Sequence, residues 1–365
     1  MPHLVIMAAG TGGHVTPGLA VAGEMQRRGW TVSWMGTTTG LENRLVPPSG
    51  IPMDCLTFSG LRGKGLWHAA TGGLRMLKAF WDSARILRRR GADAVLGMGG
   101  YICFPGGLMS SLLSKPLMLV NADAALLLSN KALLPVADRV AFGFEGGSQG
   151  VRQAVVTGNP VRADIAAIAD PAVRLQHRQG RLRLLVVGGS LGARVLNEVV
   201  PQALALMPPE QRPLVLHQTG LAQAQAVQER YATLNLMGSD PVGSEVQVRP
   251  FIDDMAHQLA ECDVVLCRAG AITVSELCAA GVPSILVPLV VSTTAHQRHN
   301  AAYMARQGAA IHLEQSELEP HQLAQLISGL GRDRLQMMAL RARACAKPQA
   351  TQHVADEIER LVKSA

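Results

Sequence analysis

Met7-Ala-Ala-Gly-Thr-Gly-Gly-His-Val-Thr-Pro-Gly18 and Val186-Val-Gly-Gly-Ser-Leu-Gly-Ala-Arg-Val-Leu-Asn197 are two versions of one pattern, one in each half of the chain. In both, an apolar run ends in a cluster of glycines and a helical pattern follows. Glycine tolerates φ > 0 and lets the backbone approach a ligand closely. The start of a helix offers N–H groups without intrahelical partners and the positive end of the helix dipole. Strand, glycine turn and helix form the opening unit of a doubly wound α/β domain. Two copies predict two such domains.

Working outward, short apolar runs alternate with helical patterns throughout, the signature of βαβ units. The first half offers strands at Leu4–Ala9, Thr31–Gly36, Met53–Phe58, Ala94–Met98, Leu117–Asn121 and Arg139–Phe144. The second offers Leu182–Gly188, Pro213–Gln218, Val246–Phe251, Val264–Cys267, Ser284–Pro288 and Ala309–Leu313. Between them, Pro160 to Arg181 is Ala-rich and charged and contains no strand pattern. The expected division is an N-terminal domain over 1–160, a linker and hinge over 161–180, and a C-terminal domain over 181–350. A terminal amphipathic helix over 351–365 packs back toward the first domain.

Composition agrees with this class. Apolar residues make up 48% of the 365 and charged residues 17%, enough to bury two cores. Aromatics are only 4% while glycines number 37, which suits parallel sheets with tight turns better than a β-sandwich. The six cysteines form no CxxC pair or His/Cys cluster and read as free buried thiols of a reducing compartment. The N-terminus enters a strand directly and carries no basic n-region, so it does not read as a signal peptide. No apolar run reaches the roughly 18 residues of a membrane span. Net charge is +7. With no RNA- or DNA-binding motif and few aromatics, nucleic acid is not an expected partner. A phosphate-rich ligand or an anionic membrane face accounts for the charge as well.

The chemistry gathers at strand ends. After the first strand comes Gly10-Thr-Gly-Gly-His14, with Pro17 expected to open the helix. A dinucleotide fingerprint would place an acid at the end of the second strand. That strand ends Met35-Gly-Thr-Thr-Thr-Gly40, which disfavours NAD. A second glycine cluster, Gly97-Met-Gly-Gly-Tyr101, ends another strand of the first half. The cluster Gly188-Gly-Ser190-Leu-Gly-Ala-Arg194 lacks the lysine of a P-loop. In Cys267-Arg-Ala-Gly-Ala-Ile-Thr-Val-Ser-Glu276, Gly270 turns the chain and a helix starts near Ile272. Its amides and the Thr273 hydroxyl suit a diphosphate, and Glu276 suits either a ribose or merely the helix dipole. No D-x-D run is present, which argues against a metal-bridged diphosphate site.

Taken together, G-T-G-G-H-x-x-P-G-L-A, G-M-G-G-Y, T-G-N-P-V-R, G-G-S-x-G-A-R-x-L-N, F-I-D-D-M and C-R-x-G-A-x-T-V-S-E resemble the MurG family, in order and across nearly the whole chain. That family comprises the GT-B N-acetylglucosaminyltransferases of peptidoglycan synthesis. The resemblance implies an α/β GT-B fold, two Rossmann-like domains with parallel sheets facing across a cleft. It implies inverting transfer of N-acetylglucosamine from UDP-GlcNAc to the 4-hydroxyl of MurNAc on undecaprenyl-diphosphate-linked lipid I, giving lipid II without a metal or other cofactor. It makes 1–160 the acceptor and membrane-associated domain and 181–350 the UDP-GlcNAc-binding one. It places Thr11, Gly12 and Gly13 beside the donor sugar and diphosphate. Arg162, Ser190 and the run Ala271, Ile272, Thr273, Val274, Ser275, Glu276 hold phosphates and ribose. The Ile252 backbone reads uracil and Gln297 meets the sugar hydroxyls. His14 is the candidate base, with a phosphate-orienting loop histidine as the other reading. Tyr101, Asn121, Asp123 and Asn130 fall on the acceptor side. The implied setting is the cytoplasmic side of the inner membrane, peripherally bound, in company with other cell-wall and division proteins.

The chain departs from the family pattern in three places. Where the family usually carries His-Glu-Gln-Asn, residues 120–123 are Val-Asn-Ala-Asp. Asp123 is the candidate replacement for the lost carboxylate. Position 269 is Ala where Ser is usual, and Val290–Ala295 lacks the family's charged residues. These changes touch the acceptor and the base more than the donor. They keep two alternatives open: a related UDP-sugar glycosyltransferase with another lipid acceptor, and a catalytically silent UDP-sugar-binding or membrane scaffold. Finally, Gly73–Arg90 reads as an amphipathic helix. Leu74, Leu77, Phe80, Trp81, Ala84 and Leu87 share one face, ringed by Arg75, Lys78, Arg85, Arg88, Arg89 and Arg90. With Trp67 this face suits either packing on the sheet or a membrane interface.

Overall fold

A computed structural model of the chain describes residues 1–57, 66–189, 192–237, 245–289 and 295–364; over 66–72 and at 74 it describes the backbone alone. Phe58, Ser190, residues 290–294 and the Trp67 and Leu74 side chains lie outside the described residues. The chain forms two compact units. Unit 1 comprises Met1–Arg162 and Lys347–Ala365, and unit 2 comprises Ala163–Ala346.

Unit 1 is built on β1 (His3–Ala8), β2 (Thr31–Thr37), β3 (Met53–Leu56), β4 (Ala94–Gly99), β5 (Leu117–Asn121), β6 (Arg139–Phe142) and β7 (Ala154–Val156). They form one parallel sheet in the order β3-β2-β1-β4-β5-β6-β7. Side chains of β1 alternate between two cores, as strand geometry requires. Leu4 and Ile6 join Val15, Val21, Met25 and Trp34 on one face. Val5 and Met7 join Leu87, Val95, Ile102 and Leu119 on the other. Burial on both faces explains the nearly unbroken apolar runs. The helix Ala350–Ser364 completes the first face with Val354, Ala355 and Ile358, beside the helix Gly12–Arg27. Arg28 to Asp356, at 2.7 Å, ties the two helices.

Unit 2 contains β8 (Arg183–Val187), β9 (Leu214–Gln218), β10 (Val246–Arg249), β11 (Val264–Cys267), β12 (Ser284–Leu286) and β13 (Ala310–His312). The order is β10-β9-β8-β11-β12-β13, again all parallel. Numbered from its own first strand, this is 3-2-1-4-5-6, the order unit 1 also follows. In such sheets the strand order reverses beside the first strand, and ligands bind outside the carboxyl ends of the strands there. The reversal lies between β1 and β4 in unit 1 and between β8 and β11 in unit 2. The glycine turns at Gly10–Gly13, Gly97–Gly100, Gly188–Gly192 and Gly270 each open directly from one of these four strands. Unit 1 carries a local irregularity at that point: the β1–β4 register shifts between Met7 and Ala8, so Ala8 pairs with Gly99.

Five expectations change. The three-residue edge strand β7 was not anticipated. Pro17 lies inside the first helix, which begins at Gly12. The stretch 161–180, expected as a linker, is fastened to unit 2. Arg174 donates to Ala280 O and Gly281 O, at 3.3 and 2.9 Å, and to Ala260 O at 3.2 Å. Arg178 bonds Ala260 O and Cys262 O. The supposed single face of Gly73–Arg90, within the helix Leu66–Arg90, divides. Ala79, Ala84, Ile86 and Leu87 are buried, whereas Leu77 and Trp81 are exposed at 66% and 71%. Among the cysteines, Cys55 is exposed and Cys345 half-buried, while the other four are buried.

Candidate active site

In unit 1 the loop after β1 turns at Gly10, whose φ of 95° only glycine adopts without strain. Thr11 is the exposed N-cap of Gly12–Arg27, and its carbonyl accepts from His14 N and Val15 N at 3.1 and 3.3 Å. Gly12 and Gly13 occupy the first two helical positions, where amides have no intrahelical acceptor. The loop after β4 presses against this one. A Cβ at Gly100 would lie 2.8 Å from the Ala9 carbonyl, and one at Gly99 would lie 2.5 Å from the His14 ring. The two glycines therefore give His14 its seat.

His14 Nδ1 is 3.2 Å from Ala9 O. A carbonyl only accepts, so Nδ1 carries the proton of the neutral ring and Nε2 carries the lone pair. Burial lowers the His14 pKa from its ordinary value. The Ala9 carbonyl and the charges of Asp123 and Glu42 work in the opposite direction without reversing the shift. The result is a neutral imidazole with a basic Nε2, the form a general base needs.

Residues 120–130 are organised around two buried amides. Asn121 is fully buried. Its Nδ2 donates to Asp123 O and Ala125 O at 2.9 and 3.0 Å, and its Oδ1 accepts from Leu127 N at 2.9 Å. Asn130, also buried, donates to Val120 O and Asn121 Oδ1. Both amides shape the loop from beneath, which leaves the half-buried Asp123 and Tyr101 nearer the surface. Arg162, half-buried, ends the first segment of unit 1.

In unit 2 the loop after β8 depends on glycine at two further points. Gly192 has φ 77°, and a Cβ there would lie 2.0 Å from Thr219 O; a Cβ at Gly188 would lie 2.3 Å from Ala193 N. Ser190 lies outside the described residues. The helix Ala271–Ala280 begins after Gly270 with no side-chain cap and closes at Gly281 in the left-handed conformation. The Ala271, Ile272 and Val274 side chains are buried, so Ala271 and Ile272 have only their amides to offer, at the helix N-terminus. Thr273, Ser275 and Glu276 are half-buried, and Ser275 Oγ donates back to Ala271 O at 3.0 Å. Asn300 Nδ2, donating to Ala269 O at 3.0 Å, fixes the turn before the helix. Gln297 accepts from Leu289 N at 2.9 Å. The Ile252 N–H donates to Gln218 Oε1 at 3.2 Å, while Gln218 Nε2 donates to Gly189 O at 3.1 Å. Gln218, buried at the end of β9, thus joins the glycine turn to the segment holding Ile252.

Sequence reasoning missed two such residues, Gln218 and Glu42. Glu42 is fully buried and bonds Gly10. Neither lies in a recognisable motif. The one available signal was an amide at the carboxyl end of a strand, or an acid a few residues beyond one, next to a glycine turn.

Two doubly wound parallel-sheet units, each with glycine turns and a helix N-terminus at its switch point, define a nucleotide-sugar glycosyltransferase of the GT-B class. The N-terminal domain model of glycosyltransferase family 28 matches residues 4–142, and the family's C-terminal domain model matches residues 183–361. The UDP-N-acetylglucosamine--N-acetylmuramyl-(pentapeptide) pyrophosphoryl-undecaprenol N-acetylglucosamine transferase of Methylibium petroleiphilum is 66% identical, over 99% of this chain and 98% of its own length. The protein of the same name from Chromobacterium violaceum is 58% identical over 98% of both. The crystal structure of Acinetobacter baumannii MurG superposes with a TM-score of 0.82 at 38% identity, covering 99% of this chain and all of that one. The chain belongs to the MurG family of glycosyltransferases.

Proposed function

We propose that this protein moves N-acetylglucosamine from UDP-GlcNAc to the 4-hydroxyl of MurNAc in lipid I, forming lipid II for peptidoglycan synthesis. The observation that carries this reading is 66% identity over nearly the full length to a transferase named for that reaction. The alternatives of another lipid acceptor or a silent scaffold lose ground, because the match runs through both halves of the chain.

The site residues fit an inverting displacement at the anomeric carbon. The attacking hydroxyl must lose a proton as it bonds, and Nε2 of His14 is a neutral acceptor for it. Departing UDP gains negative charge. The amides of Ala271 and Ile272 and the positive end of that helix favour this charge, as does Arg162. Glu276, one turn in, serves the ribose, and the segment at Ile252 serves the base. Thr11, Gly12 and Gly13 lie alongside the sugar and diphosphate, with Ser190 on the phosphates and Gln297 on the sugar hydroxyls. Asp123, whose charge acts on His14, takes the place of the family's missing carboxylate.

We place the protein peripherally on the anionic cytoplasmic face of the inner membrane. No helix among the described residues is long and apolar enough to cross a membrane. The exposed Leu77 and Trp81, with Arg75, Lys78 and Arg85 on the same helix, suit an interfacial surface.

The test is UDP release by the purified protein from UDP-GlcNAc, with and without a short-chain lipid I analogue. Release that depends on the analogue is expected. Binding of UDP-GlcNAc without acceptor-dependent release would return the reading to the alternatives.

A further inference from the structure

Glu42 stands outside every motif of the site, yet its carboxylate is completely enclosed. It sits at the start of the short helix Glu42–Leu45, just past the end of β2. Its Oε1 accepts from Thr37 N at 2.8 Å and Thr37 Oγ1 at 2.6 Å, and its Oε2 accepts from Gly10 N at 2.9 Å. The neighbouring Leu41 N–H donates to Gly10 O at 3.2 Å. One two-residue segment thus holds both the N–H and the C=O of Gly10. The carboxylate also dictates its surroundings, since a Cβ at Gly40 would lie 2.0 Å from Oε2 and one at Gly36 would lie 2.8 Å from Cγ.

Burying a carboxylate is costly unless donors surround it. Burial here pushes the Glu42 pKa upward, but the hydrogen bonds from Thr37 and Gly10 outweigh it and hold the group below its ordinary value. A fixed anion within the unit is therefore anchored to one backbone atom of the loop that carries His14. Gly10 is the hinge of that loop. It takes a left-handed φ, and the helix that opens with Gly12, Gly13 and His14 begins two residues later. Whatever rotates Gly10 re-aims those amides and the His14 ring together. A purely stabilising carboxylate would need only its Thr37 contacts to tie down the end of β2. The bond to Gly10 goes to the turn that leads into the site.

We propose that Glu42 is a positioning residue, which acts through the Gly10 backbone to set the direction of the Thr11–His14 turn toward the reacting sugar. This rests on the transferase reading above. Three donor groups converge on Glu42, so Glu42→Gln, with one acceptor oxygen and an NH2 group in place of the other, cannot satisfy both Gly10 and Thr37. Glu42→Asp keeps the charge but withdraws it by one methylene from Gly10. In the acceptor-dependent assay, Glu42→Gln is expected to lower kcat by about 10- to 100-fold, the scale of an ångström-sized misplacement. KM for UDP-GlcNAc should stay within about threefold, because misalignment weakens the transition state more than the ground state. Glu42→Asp should fall between parent and Gln. A kcat within about twofold of the parent in folded Glu42→Gln, whatever its melting temperature, overturns the proposal by leaving Glu42 a purely structural role. If Glu42→Gln does not fold, Glu42→Asp decides by the same split. An inactive parent protein would instead contradict the transferase reading, so the two failures are distinguishable.

Discussion

The base proposed at His14 rests on its surroundings rather than its identity. The Ala9 carbonyl fixes the tautomer, Gly99 leaves room for the ring, and burial keeps it neutral. Replacement by Ala should lower kcat by about 10²- to 10⁴-fold, the usual contribution of a positioned base, and leave UDP-GlcNAc affinity nearly intact. Calorimetry of UDP-GlcNAc binding beside initial rates checks this; a loss confined to binding would make His14 a phosphate-orienting residue. The pH profile gives a second check. A base acts unprotonated, so activity falls as pH drops through its pKa. Because the His14 pKa is lowered, the acid limb should inflect below the ordinary histidine value of 6.5. Gln218 makes a parallel case in unit 2. Gln218→Ala would release both Gly189 and Ile252, and each lost bond is worth about 0.5–1.5 kcal/mol. The expected result is a rise in KM for UDP-GlcNAc of about 5- to 100-fold with kcat little changed, read from steady-state kinetics.

The elements show why part of the site was legible and part was not. Glycine turns after apolar strands stand out in a sequence because only glycine serves there, and Gly192 is the sharpest example. Gly192→Ala would place a Cβ 2.0 Å from a backbone carbonyl at a φ of 77°. It should abolish UDP-GlcNAc binding or unfold unit 2, as seen by thermal melting with and without nucleotide. By contrast, Glu42, on the short helix after β2, and Gln218, at the end of β9, reach the glycine turns from neighbouring elements, and a linear pattern carries no mark of the atoms they reach. β7 escaped for a different reason: Ala154-Val-Val156 is too short for any periodicity. The amphipathic reading of Gly73–Arg90 merged two surfaces because helical spacing groups Leu77 and Trp81 with Ala84 and Leu87, while packing sorts them by the neighbour each finds. The supposed linker is an element too. Arg174 gathers carbonyls from the ends of two helices, where a cation is favoured. Arg174→Ala should cost unit 2 about 1–3 kcal/mol in urea unfolding.

For the whole molecule, the repeated strand order was legible because one strand–glycine–helix pattern occurs twice. Both units carry their glycine turns at the carboxyl edge of the sheet, where that topology directs ligands. The membrane reading also belongs to this scale. Cosedimentation with anionic vesicles should weaken for Trp81→Ala/Arg85→Glu and weaken further in high salt. Equal binding of variant and parent would remove this helix from the membrane surface. The central claim is the transfer reaction itself, and the product tests it most directly. Incubation of the purified protein with UDP-GlcNAc and a short-chain lipid I analogue, followed by mass and NMR analysis, should yield one added GlcNAc on the MurNAc 4-hydroxyl. Its anomeric configuration should be opposite to that of the donor. Free GlcNAc without a disaccharide, or a linkage that retains the donor configuration, would contradict the account.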